Sequence, residues 1–194
     1  MSTSSDLYIV GAGYLGILVG QEWRTAFPRA KVFGETRSEA RHEELQVAGI
    51  TPTLRAARSG AEKFPNVVFC AAPSGNLDYA GEVAAAAHDL WDGTGNLVFT
   101  SSGGIYQETD GSAPTTEDSP VSDSPRATKL LDSEAACRRA GGCVIRLAGL
   151  YSLERGPHSF WLARGEVAAL PDGVVNLLSY ADAAAAVAAA AARG

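Results

Sequence analysis

Apolar residues along the chain fall into short continuous blocks, separated by segments in which they recur every three or four positions. The blocks have strand length and are uninterrupted, as expected of strands buried on both faces. Leu7–Val10, Lys31 to about Glu35, Asn66–Ala72, Asn96–Ser102, Cys143–Leu147 and Val174–Leu178 are the six predicted strands. Between them the helical period predicts helices from Tyr14 to before Pro28, from Ser38 to Val47 with Gly49 just past its end, from Leu77 to Trp91, and from Arg126 to Arg139 with Gly141-Gly142 as its stop. A short apolar helix around Phe160-Trp161-Leu162 is expected near the site, and Ser179-Tyr-Ala-Asp182 opens a long alanine helix with a capping signature. The segment around Gly60 reads as irregular, Pro114 to Pro125 as a Pro/Ser/Asp-rich loop, and Ser152 to His158 as a polar loop. Strands alternating with helices imply an α/β fold, a doubly wound and mostly parallel sheet with helices on both faces, in a single domain over residues 1–194.

Three glycines change what the first strand and helix mean. Gly11-Ala-Gly13-Tyr14-Leu15-Gly16 follows a buried strand, opens an apolar helix, and is followed by a second strand about 20 residues later. That is the setting of a dinucleotide-binding Rossmann turn: the first glycine permits the tight turn, the second lets backbone approach a pyrophosphate, and the third lets helix pack on strand. At the end of the second strand, where an Asp or Glu would hold a ribose 2′-hydroxyl, stand Glu35-Thr36-Arg37-Ser38. A small hydroxyl followed by a guanidinium suits a 2′-phosphate, so NADP(H) is favoured, while Glu35 keeps NAD(H) open. The small residues Ala71-Ala72-Pro73 leave room for a cofactor at a strand end, and Thr100-Ser101-Ser102-Gly103-Gly104 ends another apolar strand in hydroxyls and glycines, where open α/β sheets place ligands.

Composition narrows the partners. A net charge of −6 without a Lys/Arg cluster argues against nucleic acid as a main partner. Cys70, Cys137 and Cys143 form no CxxC pair and read as buried thiols of a reducing compartment, cytosol or plastid stroma, with no metal site. Met-Ser-Thr-Ser-Ser-Asp carries no targeting segment, no apolar run reaches membrane-spanning length, and a soluble intracellular protein is expected. His42 reads as an exposed helix side chain, and His88 as surface or core.

With these stretches in view, the chain resembles the extended and atypical short-chain dehydrogenase/reductase superfamily, specifically the NAD-dependent epimerase/dehydratase-like group and within it a plant and algal subgroup of NAD(P)-binding Rossmann-fold proteins. The resemblance rests on Gly11/Gly13/Gly16, Thr36-Arg37-Ser38, Thr-Ser-Ser-Gly-Gly-Ile-Tyr106, the helix bearing Lys129 and Glu134, Arg146-Leu-Ala-Gly-Leu-Tyr151, and Asn176 to Asp182. It implies a cofactor surface of Gly11, Gly13, Tyr14, Leu15, Gly16, Thr36, Arg37, Ser38, Ala71, Ala72, Pro73, Ser101, Lys129, Leu147, Ala148 and Gly149.

The group's chemistry uses a Ser or Thr on the substrate oxygen, a Tyr that passes the proton and a Lys four residues later. Ser102 matches the serine and Lys129 the lysine, but Pro125 stands at the tyrosine's place. A proline carries no proton, so Tyr106 or Tyr151, both at strand ends, becomes the candidate substitute. Members of the group also continue further, so the substrate region is expected to be short or missing. Two readings follow: an NADP(H)-dependent oxidoreductase or epimerase/dehydratase-like enzyme of unknown small-molecule substrate, built on Ser102, Lys129 and Tyr106, or a non-catalytic NADP(H)-binding sensor or assembly subunit. A protein partner or homo-oligomer is open, and an RNA-binding role is disfavoured by the acidic charge.

Overall fold

In the computed structural model, which describes residues 5–58, 60–107, 114–167 and 173–193, a six-stranded parallel sheet runs in the order β3-β2-β1-β4-β5-β6. Its strands are β1 (Leu7–Val10), β2 (Val32–Thr36), β3 (Thr51–Leu54), β4 (Asn66–Phe69), β5 (Leu97–Ser102) and β6 (Cys143–Leu147). The order reverses direction between β1 and β4, which is where a doubly wound sheet opens a ligand crevice beyond its carboxyl ends.

Strand alternation explains why the blocks are apolar throughout. Tyr8 and Val10, Val67 and Phe69, and Leu97 and Phe99 point to one face, against α3 (Tyr79–Leu90) and α4 (Pro125–Arg139). Leu7 and Ile9, Val68 and Val98 point to the other, against α1 (Tyr14–Ala26), Leu45 of α2 (His42–Val47), and α6 (Tyr180–Arg193). Both faces are covered, so the central strands are apolar apart from their ends. The alanines of α6 bring its backbone close: Ala184, Val187 and Ala188 are buried, and the Asn96 amide donates to the Ala191 carbonyl at 2.9 Å.

The structure departs from the sequence-based elements in several places. Thr51–Leu54, expected to be irregular, is strand β3; Pro52 hides it, and its place at the sheet edge tolerates a residue without an N–H. The last strand is shorter than Val174–Leu178. As β8 (Leu177–Ser179) it pairs with β7 (Gly149–Tyr151) in a separate two-stranded ribbon. The segment after Ser38 is a 3₁₀ turn over Glu39–Arg41 followed by α2, and Ser38 contributes no side-chain cap. The boundaries of α3 and α4 follow their caps: Asp78 accepts from the Gly81 N–H at 2.8 Å, and Ser124 caps a helix whose first residue is Pro125. The Phe160 helix, α5 (Pro157–Arg164), has no buried residue, and Phe160 and Leu162 lie exposed.

Candidate functional site

The glycine turn ties three strand ends together. The Gly11 and Ala12 N–H groups donate to the Glu35 carbonyl at 3.1 and 2.8 Å, and the Cys70 N–H donates to Val10 at 2.8 Å. Gly11 has φ +78°, and a Cβ there would stand 2.4 Å from the Ala71 Cα, so both conformation and space demand glycine. At Gly16 a Cβ would press on Ile9 Cγ2 at 3.1 Å. Gly13 differs, because a Cβ would meet only the Gly11 carbonyl oxygen, 4.0 Å away, and would otherwise project into open space. The first turn of α1 has no side-chain cap and no acidic residue, which leaves its partial positive charge uncompensated by the protein.

That open space belongs to a cleft of about 1110 Å³ along the carboxyl edge of the sheet. Gly11, Gly13, Tyr14, Leu15, Gly16, Thr36, Arg37, Ser38, Ala71, Ala72, Pro73, Ser101, Leu147, Ala148 and Gly149 all line it, as does Ser102. Lys129 does not: its ammonium donates to the Asn76 carbonyl at 2.8 Å and pins the loop between β4 and α3. Tyr106 does not either, since its hydroxyl accepts from Arg146 Nη1 at 2.8 Å with the guanidinium 5.2 Å from its ring. Tyr151 is 41% exposed and also lies off the cleft. The face of α4 turned to the cleft carries Arg126 and Leu130, one turn apart, rather than the Pro125 and Lys129 pair.

At the β2 end the charges sort cleanly. Glu35 is 2% exposed, forms a two-pronged pair with Arg58 at 2.7 and 2.9 Å, and accepts from the Tyr8 hydroxyl at 3.2 Å. Burial, the larger cause, and the neighbouring carboxylate push the Tyr8 phenol up to about 12. Arg55 pairs with the buried Glu82 at 2.6 Å, and Arg41 with Glu44 at 2.8 Å. Among the described residues no carboxylate pairs with Arg37, which lies exposed at the cleft rim near Gly75. Thr36 holds the turn shape by donating to the Ser38 carbonyl at 2.9 Å, and its hydroxyl lies 3.0 Å from His42 Nε2, so His42 is half-buried and hydrogen-bonded rather than a free surface side chain.

At the β5 end, three hydroxyls have separate employments. Thr100 donates to the Phe69 carbonyl at 3.1 Å, and Ser101 donates to Glu134 Oε1 at 2.6 Å. Ser102 accepts the Gly104 N–H at 3.1 Å, which leaves its own proton available. Glu134 is wholly buried in α4: burial alone would raise its pKa, but hydrogen bonds from Arg146 and Ser101 and the charges of Arg146 and Arg138 hold the carboxyl below the usual range. Tyr180, edge-on to Tyr14 at 4.7 Å, and Arg155, 5.2 Å over the Tyr14 ring, complete the cleft wall. Sequence reasoning singled out none of Arg126, Arg155 and Tyr180; the phase of α4, one residue off the expected motif, comes from its packing and places Arg126 at the cleft. Of the three expected buried thiols only Cys137 is fully buried; Cys70, in the cleft wall, and Cys143 are half-buried, and burial pushes the Cys70 and Cys137 thiols up to about 12.

The fold recurs in solved structures. A functionally unknown conserved protein from Silicibacter pomeroyi superposes with TM-score 0.71 at 22% identity, over 97% of this chain and 68% of its own. The Bordetella bronchiseptica enzyme WbmG, solved with NAD and UDP, gives TM-score 0.70 at 19% identity, over 100% of this chain and 70% of its own. dTDP-glucose 4,6-dehydratase from Bacillus anthracis, solved with NAD, gives 0.69 at 15% identity, over 97% and 72%. The chain has the fold of the NAD-dependent epimerase/dehydratase structures. No family model and no curated protein matches the sequence. These bacterial neighbours lend no support to the plant and algal subgroup. Among the described residues no helix is long and apolar enough to cross a membrane.

Proposed function

We propose that this chain binds NADP(H) along the Gly11–Gly16 turn and is an oxidoreductase of the epimerase/dehydratase type that works without the group's usual tyrosine. The cofactor fits the residues present: Gly13 faces space that a Cβ would fill, and the helix end beyond it is uncapped. Tyr14, Leu15 and Gly16 would meet the pyrophosphate with their N–H groups; Ala71, Ala72 and Pro73 on one side, and Leu147, Ala148 and Gly149 on the other, would flank the rest. When bound, the nicotinamide supplies hydride transfer. Ser102 would hold a substrate oxygen with its free proton.

The preference for NADP(H) over NAD(H) rests on one observation: Glu35 is bound to Arg58 and Tyr8, while Arg37, at the rim beside Thr36 and Ser38, has no ion pair among the described residues. A carboxylate already held by a guanidinium neither reaches for a ribose hydroxyl nor repels a phosphate strongly. Calorimetric titration is expected to find NADPH tighter than NADH, with Arg37→Ala narrowing the difference by about 1–3 kcal/mol in low salt, the scale of a charge-assisted hydrogen bond. Equal wild-type affinities would remove the case for Arg37.

Gly13→Ala and Gly11→Ala should separate folding from binding. Gly13→Ala is expected to keep the melting temperature and to weaken NADPH by about tenfold or more, because the added methyl occupies the ligand's space and not the protein's. Gly11→Ala is expected to lower the melting temperature as well. Unchanged NADPH affinity in Gly13→Ala would move the pyrophosphate elsewhere.

The non-catalytic reading is favoured by a separate observation. The Tyr106 hydroxyl is committed to Arg146 outside the cleft, so the proton carrier lost at Pro125 is not replaced there.

A further inference from the structure

We infer that the ligand bound at the β5 end of the cleft carries an anionic oxyacid group, seated between the Ser102 hydroxyl and the Arg126 guanidinium. This rests on the cofactor-binding reading above only in taking the remainder of the cleft for the dinucleotide. Three observations carry it. Ser102 Oγ and Arg126 Nη2 flank the same glycine, standing 3.3 and 3.9 Å from where a Cβ of Gly104 would be. Gly104 lacks that Cβ, so a small group has access to both.

Ser102 accepts the Gly104 N–H, and its own proton is free to be donated to a ligand oxygen. Arg126 has no ion pair among the described residues. The carboxylates that line the cleft are otherwise engaged: Glu35 with Arg58, Glu82 with Arg55, and Asp78 as the cap of α3. Two donors, one of them fully charged, thus face the cavity with no acceptor from the protein. Leu130 lies one turn further along the same face of α4, and Leu147 and Leu150 also line the cleft. Arg126 itself is exposed at the mouth of the cleft, where its guanidinium can meet an incoming ligand. A carboxylate or phosphate matches the charge and the fork of Arg126, which a neutral carbonyl or sugar hydroxyl does not.

The test uses the full chain saturated with NADP⁺ and titrated calorimetrically with oxamate, glucose 6-phosphate and UDP-glucose, each beside a neutral counterpart: oxamide, glucose and uridine. At least one anion is expected to bind while its neutral counterpart does not. Arg126→Gln should weaken that anion by about tenfold or more while leaving the NADP⁺ affinity within about twofold. Arg126→Lys separates the sources: a point charge restores most of a phosphate's affinity but little of a planar carboxylate's. Ser102→Ala should give a smaller loss in the same direction. Anions that bind equally to wild type and Arg126→Gln, or that do not bind at all, would overturn the inference. If NADP⁺ itself fails to bind, the cofactor reading falls, and the same titrations on the free chain still decide the role of Arg126.

Discussion

Arg146→Met is expected to remove about 3–5 kcal/mol of folding stability, because it strips the principal partner from a carboxylate with no access to water. Glu134 is 0% exposed and meets Arg146 through three contacts of 2.8 to 3.3 Å, with Ser101 at 2.6 Å and Arg138 at 3.2 Å completing its surroundings. Arg138 sits at the surface and is screened, so it cannot replace Arg146. The cluster joins β5, β6 and α4 and, through the Tyr106 hydroxyl, the turn after β5. The loss should appear as a lower midpoint in urea, and pairing Arg146→Met with Glu134→Leu should recover most of it, since an apolar pair of similar volume leaves no buried charge behind.

The pH dependence has a definite sign. Glu134 is held below its ordinary value in the folded chain, so its stabilisation is complete above the unfolded glutamate pKa of about 4.3 and fades as pH falls through the lower folded value. In Arg146→Met, burial dominates and raises the carboxyl, so that component of acid sensitivity should reverse. A change below about 0.5 kcal/mol in the single variant, the range of an ordinary surface substitution, would mean that the cluster is not what holds these elements.

The second large effect is kinetic. Saturated with NADPH, the chain is expected to turn over generic carbonyl, alcohol or nucleotide-sugar substrates some 10²–10⁴-fold more slowly than a site with a positioned proton carrier, about 3–5 kcal/mol of barrier. Pro125 has no proton to give, and the Tyr106 hydroxyl, which accepts from Arg146, lies outside the cleft. Tyr106→Phe should therefore leave the rate of NADPH oxidation unchanged while costing about 1 kcal/mol of stability, the net value of one hydrogen bond. The tyrosines that do line the cleft are Tyr14, Tyr79 and Tyr180, and of these Tyr79 already donates to the Ala71 carbonyl at 2.6 Å. Brisk turnover abolished by Tyr106→Phe would reinstate that residue as the proton carrier. Brisk turnover abolished by Tyr180→Phe, with NADPH affinity intact, would place the carrier in the cleft wall and end the non-catalytic reading.

Much of this was legible in the chain because its signals are local. A buried parallel strand is a run of apolar residues, and a glycine turn is a fixed spacing, so β1, β2, β4, β5, β6 and the cleft residues beside them read directly from sequence. What was not legible depends on contacts between distant segments. The edge strand β3 contains Pro52, which argues against a strand anywhere except at an edge, and no local feature says that Thr51–Leu54 is one. The phase of α4 is set by its packing on α3 and β5, which turns Arg126 and Leu130 to the cleft and Lys129 to Asn76, although the motif spacing suggested otherwise. Glu35 looked available for a ribose until Arg58, 23 residues on, took it.

The packing of α6 on α1 bears on the order in which the fold assembles. Each βαβ unit closes over a few tens of residues, but Ala184, Val187 and Ala188 share a core with Ile17, Val19 and Trp23, more than 160 positions earlier in the sequence. Contacts of such separation bear the largest loop-closure entropy, so the sheet and α3–α4 layer are placed to form first, with one face of β1, β4 and β5 still wet. The late arrival of α6 then acts as a latch. Interactions absent from the transition state show up almost entirely in the unfolding rate, so Val187→Ala is expected to speed unfolding in urea while leaving the folding rate nearly unchanged.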